Sequence, residues 1–300
     1  MTTETQLNEL LNIKSSNAFV GAWREFRKWP VIPALILIVL VVLAIGAPLF
    51  TSYDPVKGSL RDRNVPPAWQ EGGSSAHIFG TDDQGRDIYT RIIYGARLSM
   101  SFAAVTMVIT IALGAVVGAI SGYYGGNVDE LLMRLVDLQN AIPFILAALV
   151  AVGIFGASFW TLLMIIAIFS WGTTARQIRG EILQIRQMDY IALAKVAGAS
   201  PFRIISRHLL PGVTNTIIVV ATLGTGQIIL TEATLSFLGV GIPPPKPAWG
   251  SMVSDGRNYI DSAWWIAVLP GVAIALIVVA LNFIGDWLRD KFDPRLRQTE

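Results

Sequence analysis

The run Val31-Ile-Pro-Ala-Leu-Ile-Leu-Ile-Val-Leu-Val-Val-Leu-Ala-Ile-Gly-Ala-Pro-Leu-Phe50 decides the fold class, because it contains no charged side chain. A bilayer core of about 30 Å requires about 20 apolar helical residues, so this run predicts a membrane-spanning helix. The whole chain has a matching composition: of its 300 residues, 53% are hydrophobic and 15% are charged, whereas about 25% are charged in a typical soluble domain. The sequence therefore predicts an all-α polytopic membrane protein.

Further, largely apolar stretches predict five more spans, the third of which includes amphipathic residues before Leu138. The stretch from Leu138 to Ala175 contains no charged residue, and as one helix it would be about 57 Å long, nearly twice the bilayer core. It must therefore fold back, and Phe155-Gly156-Ala157-Ser158 has the residue types of a turn. We predict six spans at about 31–50, 98–123, 129–153, 158–176, 212–235 and 262–285.

The distribution of Lys and Arg predicts the orientation, because cytoplasmic loops of membrane proteins are enriched in both. With the N-terminus inside, most of the 23 Lys and Arg residues lie in segments that become cytoplasmic. We therefore expect both termini in the cytoplasm. The predicted organisation is a cytoplasmic segment 1–30, a first span 31–50, an extracytoplasmic loop 51–96, a membrane domain 97–285 with a cytoplasmic loop 177–211, and a cytoplasmic tail 286–300.

The cytoplasmic loop has the signals of two short helices joined by a sharp turn. Residues 189–197 are rich in helix-forming side chains, and Gly198 suits the left-handed residue that ends a helix. Ser200 followed by Pro201 is a typical helix start, with a hydroxyl cap and a proline in the first turn. These signals leave two interpretations, a solvated linker between spans or a compact unit that binds a partner.

The spacing in this loop resembles the cytoplasmic "EAA" loop of ABC importer permeases. Gly198 is followed by nine residues and then by His208-Leu-Leu210-Pro211, as in the family pattern. Ala192 stands where the family has glutamate, so a contact made by that glutamate cannot be transferred to this chain. The resemblance implies that the loop couples the spans to an ATPase through Ala192, Leu193, Ala194, Gly198, Ala199, Ser200, Pro201, Leu210 and Pro211.

Two other stretches resemble the C-type permease of dipeptide and oligopeptide importers. One runs from Pro67 through His77-Ile-Phe-Gly80 to Arg97, and the other includes Glu232-Ala-Thr-Leu-Ser-Phe-Leu-Gly239. The resemblance implies a subunit that forms half of a pathway for short peptides in a prokaryotic cell membrane. It also implies a second permease, two ATP-binding subunits that hold the ATP and Mg²⁺, and an extracytoplasmic solute-binding protein. Permeases for nickel chelates, opines or glutathione look alike and remain an alternative.

The extracytoplasmic stretch Asp82, Gly85, Arg86 and Asp87 allows several roles. Thr81 or Asp82 could cap a helix that leads into the second span, while Arg86 offsets the acidic charges. A divalent-cation site is the less favoured interpretation, because the wider calcium-loop pattern is missing. Contact with the second permease or with the binding protein is a third possibility.

Gln227 and Glu232 are polar residues of the fifth predicted span. Ionisable residues in membrane helices usually face water or another helix, since burial in lipid is costly. Lining of a cavity and hydrogen bonding between helices are equally compatible with the pattern. Our hypothesis is that both residues face the translocation path or its gate.

Other patterns concern helix contacts. Gly114, Gly118 and Gly122 recur every four residues in the second predicted span, which allows a close helix approach. Arg134 and Asp137 are three residues apart on one helical face and are predicted to pair.

Several classes of protein are excluded or disfavoured. The sequence has no cysteine, only two widely separated histidines and no Gly-Lys dipeptide, so thiolate clusters and a phosphate-binding P-loop are absent. A net charge of +2 does not suggest nucleic-acid binding. No nucleophile and base are paired as an intramembrane enzyme would require. A stand-alone secondary transporter would show inverted repeats or mid-membrane carboxylates, and neither is convincing.

Overall fold

The computed structural model describes residues 30–292, and within them the chain is helical apart from loops and an isolated bridge between Thr81 and Asp87. This confirms the all-α class. The helices are α1 (Val31–Ile45), α2 (Ile88–Tyr124), α3 (Gly126–Ala141), α4 (Phe144–Phe155), α5 (Phe159–Ile185), α6 (Asp189–Val196), α7 (Pro201–Ile204), α8 (Thr214–Phe237), α9 (Trp249–Gly256) and α10 (Trp265–Phe292). Residues 1–29 of the predicted cytoplasmic segment and residues 293–300 of the predicted tail lie outside the described residues.

Four helices, α2, α5, α8 and α10, are long and apolar enough to cross a membrane. The third predicted span is a broken pair, because the chain bends by 82° between α3 and α4, where Ile142 and Pro143 interrupt the helix. The first predicted span is divided at Gly46 into α1, of 15 residues, and a short turn, Ala47–Phe50. Within residues 30–292 the count by length and composition is therefore four spans, or five with the bent pair, rather than the six predicted.

The helix ends define two ends of the bundle. The loop end holds residues 51–87, the N-termini of α2 and α10, and α9; its parts are joined by Trp265, whose Nε1 donates to the Thr81 carbonyl at 3.0 Å. The hairpin end holds α6 and α7, and there the Arg186 guanidinium donates to the carbonyl oxygen of Gly122 at 2.9 Å. The helices α2, α5, α8 and α10 all run between these two ends.

The most extensive helix packing is between α2 and α5. A Cβ added at Gly118 would lie 2.6 Å from the carbonyl oxygen of Ala175, and one at Gly114 or Gly122 would lie 2.7 Å from a side chain of α5. The glycine repeat therefore does allow the close approach that the sequence predicts, with a partner helix in the same chain.

Candidate functional site: a polar cavity and an exposed helical hairpin

A cavity of about 1060 Å³ lies between α5, α8 and the end of α10, with α2 behind it. Met188, Gly212 and Phe292 border it near the hairpin end of the bundle. Because these residues flank the ends of the helices, the lining of the cavity extends to the hairpin end of the bundle.

One polar face of α5 lines this cavity. Its members are three or four residues apart, which places them on the same side of a helix: Ser170, Thr173, Gln177, Glu181 and Gln184. The opposite wall, on α8, adds Asn215, Gln227 and Thr231 between apolar side chains. Hydroxyl and amide groups both donate and accept hydrogen bonds, so the wall can bind a solute whose polar groups vary in position.

The structure separates the two residues assigned to the pathway. Gln227 lines the cavity. Glu232 does not, because it is buried at 1% exposure, and its Oε1 accepts a hydrogen bond at 2.7 Å from Ser236, one turn along the same helix. α9 covers it so closely that a Cβ at Gly250 would lie 3.1 Å from its Oε2. In this chain Glu232 is thus a covered group at the loop end, and the geometry does not support the hypothesis that it faces the path.

The hairpin between α5 and α8 has the predicted form of helix, turn and helix. Gly198 has a φ of +77°, a left-handed conformation that favours glycine. The N–H of Ala199 bonds back to the carbonyl of Ala194 at 3.0 Å, which satisfies the end of α6. Ser200 caps α7 by accepting from the N–H of Arg203 at 3.3 Å.

A π-helical turn, Ile205–Leu209, follows α7 and leads through Leu210 and Pro211 into α8. No sequence pattern indicated this turn. It carries the chain back to the bundle, since Leu209 is fully buried there.

The hairpin has an anchored face and a free face. Ile191, Ile204 and Leu209 are fully buried in a small apolar cluster with the ends of α2 and α5. On the outside, three apolar side chains are largely exposed: Leu193 at 69%, Val196 at 87% and Phe202 at 79%. Of the other residues assigned to coupling, Ala192, Gly198, Ser200, Pro201 and Pro211 are exposed, and Ala194, Ala199 and Leu210 are half-buried.

At the loop end, Asp82 is the centre of a buried polar cluster. Its carboxylate accepts from the backbone N–H groups of Gln84 and Arg86, each at 2.9 Å, and from Arg86 Nε at 2.6 Å. The Nε of Arg91 lies 3.5 Å away. Gly85 supports the turn with a φ of +72°, and a Cβ there would collide with the Ser59 carbonyl. The carboxylate oxygens are therefore occupied by donors from the protein itself, which favours loop ordering.

The cap of α2 is Asp87, not Thr81 or Asp82 as the sequence suggested. Asp87 accepts from the N–H of Thr90 at 2.8 Å, and its other oxygen lies 3.0 Å from His77 Nδ1. Thr81 instead bonds within the loop, accepting from the N–H of Val65 at 2.8 Å. The difference arises because α2 begins ten residues before the predicted span, so its N-terminus lies directly after Asp87.

Asp255 of α9 lies next to this cluster. Burial raises the pKa of its carboxyl above the ordinary value, and the nearby positive charges of Arg91 and Arg86 only partly oppose this effect. The two arginines thus interact mainly with Asp82, and their positive charges offset only part of the cost of burying the Asp255 carboxylate.

Ion pairs that the sequence did not indicate hold α3 against α5. Asp129 accepts from both Nε and Nη2 of Arg179, and Asp137 pairs with Arg176 at 2.6 Å. The predicted pair of Arg134 with Asp137 is wrong, because Arg134 bonds to Glu130 one turn away on the exposed side of α3. Sequence spacing alone could not reveal the bonds to α5, since the partners are about 40 to 50 residues apart.

Comparison with known proteins decides the family. The model of the family described as "Binding-protein-dependent transport system inner membrane component" matches residues 114–298, which is more than half of the chain. The chain belongs to this family.

Named family members align along almost the whole chain. The dipeptide transport system permease protein DppC of Haemophilus influenzae is 38% identical over 92% of this chain and 94% of its own length. The protein of the same name from Alkalihalophilus pseudofirmus is 41% identical over 93% and 91%. The oligopeptide transport system permease protein OppC of Bacillus subtilis is 34% identical over 97% and 94%.

A solved structure shares the fold. A chain from an inward-facing form of the MetNI methionine ABC transporter superposes with a TM-score of 0.56 at 18% identity, covering 69% of this chain and 98% of that one. At this identity the likeness concerns the fold alone.

Proposed function

We propose that this chain is the transmembrane permease subunit of an ATP-binding-cassette importer for dipeptides or short oligopeptides. One observation carries the proposal: the exposed apolar hairpin connects α5 directly to α8, and these two helices are the walls of the polar cavity. A partner that binds the hairpin would move both walls of the cavity together. This is rigid-body coupling between two states in which the cavity is accessible from different sides.

The hairpin has the surface of a docking element. Leu193, Val196 and Phe202 expose apolar area on a segment joined to the bundle by a buried opposite face. Exposed apolar clusters of this kind typically mark protein contacts. We assign the hairpin end to the cytoplasm, where two separate ATP-binding subunits would hold ATP and Mg²⁺. The chain itself would be a transport subunit and not an enzyme.

Peptide cargo is proposed from the names of the relatives and from the chemistry of the cavity. Amide and hydroxyl groups alternate there with apolar side chains such as Val219 and Leu223. Such a wall can bond peptide groups weakly while accepting different side chains. A second permease would supply the facing wall, and an extracytoplasmic solute-binding protein would dock at the loop end.

Reconstitution tests the proposal. The chain is purified with the second permease and the ATPase subunits, placed in vesicles, and supplied with the binding protein and a labelled dipeptide. We expect uptake that requires ATP. Double substitution Leu193→Asp and Phe202→Asp should release the ATPase subunits, while Leu60→Asp, an equally exposed leucine at the loop end, should not. Uptake by the isolated chain without ATPase would contradict the proposal, and ATP-driven uptake of nickel chelate in place of peptide would select the alternative cargo.

A further inference from the structure

Glu181 is an unusual lining residue of the cavity. No residue in the described part of the chain bonds to its carboxylate, and its Oε2 is buried without a hydrogen-bond partner. The Glu181 side chain as a whole is half-buried, so one oxygen of its carboxylate is shielded from water without a bond that compensates for this. Charged residues retained in membrane helices therefore usually have a functional partner.

The arginines of the same helix do not provide that partner. Arg176 pairs with Asp137, and Arg179 pairs with Asp129. Arg186 donates to carbonyl oxygens at the end of α2. These side chains leave α5 toward α2 and α3, whereas Glu181 shares the cavity face with Gln177 and Gln184.

Of the lining residues that the structure describes, the other charged one is Arg289 of α10. Among residues 30–292 no salt bridge joins it to Glu181. The two charges thus stand on different walls. On the α5 wall the carboxylate is flanked one turn away on either side by amides, which can orient a bound group without neutralising its charge.

We propose that Glu181 is a cation-binding group of the translocation path, which receives a positively charged group of the passing solute. The inference rests on the proposed function, since it takes the cavity to be the path and a peptide to be the solute. Its consequence is selectivity by charge: the Glu181 carboxylate favours passage of a peptide of net positive charge over one of net negative charge, with a neutral zwitterion between them.

The test uses the complete reconstituted importer and three labelled peptides, Ala-Lys-Ala, Ala-Ala-Ala and Ala-Glu-Ala, with the same binding protein throughout. The measured quantity is the ratio of kcat/KM for uptake of the lysine peptide to that of the glutamate peptide. Preferences of the binding protein cancel when this ratio is compared between permease variants. Glu181→Gln, which keeps size and removes charge, should lower the ratio about tenfold, equivalent to about 1.4 kcal/mol.

Two further variants complete the design. Glu130→Gln removes a carboxylate from the exposed side of α3, outside the cavity, and should leave the ratio unchanged. Gln177→Glu adds a carboxylate one turn away and should raise the ratio, so the proposal stays testable even if Glu181→Gln prevents assembly of the complex.

The outcomes separate the proposals. A ratio unchanged by Glu181→Gln, or by Gln177→Glu, overturns the role of Glu181. An equal loss of uptake for all three peptides also overturns it, because Glu181 would then pair with a basic group of another subunit and not with the solute. Failure of the unaltered complex to transport any peptide with ATP speaks instead against the proposed function.

Discussion

Substitution of Gly198 by valine isolates the backbone conformation of the hairpin turn. The residue has a φ of +77°, and no atom lies within 4 Å of the position that a Cβ would take. The Cβ itself therefore meets no clash, and the expected cost is the strain of a left-handed backbone, about 1–2 kcal/mol for a residue with a side chain. That energy corresponds to about a 5- to 30-fold smaller population of the native turn relative to its alternatives.

This strain should weaken the proposed contact between the hairpin and the ATPase subunits. The buried anchors Ile191 and Ile204 lie on opposite sides of the turn, so a changed turn must either displace one anchor or rotate the exposed face. We expect Gly198→Val to weaken association with the ATPase subunits by at most about 30-fold, since only the native turn is competent to bind. The assay is the amount of ATPase retained on the purified membrane complex as its concentration is lowered, together with ATP-driven uptake.

Gly198→Asn is the matched control. Asparagine adds a side chain to the same open space but tolerates the left-handed conformation, so retention of the ATPase should stay close to that of the unaltered chain. If the valine and asparagine variants retain the ATPase equally well, the reasoning is refuted, whether both are normal or both are defective. If both are normal, the turn conformation does not matter; if both fail, an added side chain matters and the backbone strain does not.

Three other predictions concern stability, measured as the thermal unfolding midpoint in detergent. Gly118→Ala should destabilise by about 1–3 kcal/mol, because its Cβ would meet a backbone oxygen of α5 at 2.6 Å; Gly271→Ala, which meets no atom within 4 Å, is the control, and equal effects would contradict the packing explanation. Asp87→Ala should cost about 1 kcal/mol by removing the cap of α2, and an unchanged midpoint would show that the cap is dispensable. Asp255→Asn should raise the midpoint at pH 7. Because the pKa of Asp255 is raised in the folded state, the folded state loses stability as pH rises from about 3.8 through that pKa. The gain in midpoint from Asp255→Asn should therefore disappear toward pH 4. A gain that persists at pH 4 would contradict this assignment.

The hairpin could be predicted from the sequence because each of its signals is local. A left-handed glycine, a serine cap and a proline in the first turn of a helix act within a few residues of Gly198, and the structure uses all three. The number of spans was harder to predict, because hydropathy reports how apolar a stretch is and not whether its helix is continuous. The breaks at Gly46 and at Ile142-Pro143 lie within apolar runs, and α2 extends beyond its apolar run to the cap at Asp87. An early helix start of this kind depends on loop contacts such as that of His77 with Asp87.

Glu181 of α5 and Glu232 of α8 show that a carboxylate without a polar neighbour in the sequence can have a partner in the fold, and the reverse. Glu232 is conspicuous because it interrupts an apolar run, yet the fold gives it a hydroxyl partner in Ser236 and covers it with α9. Glu181 is inconspicuous because Arg179 and Arg186 stand near it in the sequence, and both are committed to other partners. Residues that are neighbours in the sequence lie on different faces of a helix. Balanced charges along the chain therefore do not imply balanced charges on the cavity wall. A carboxylate without a protein partner can thus be recognised only after every nearby donor has been assigned, which is why the sequence suggested the covered glutamate and the structure indicates the one in the cavity.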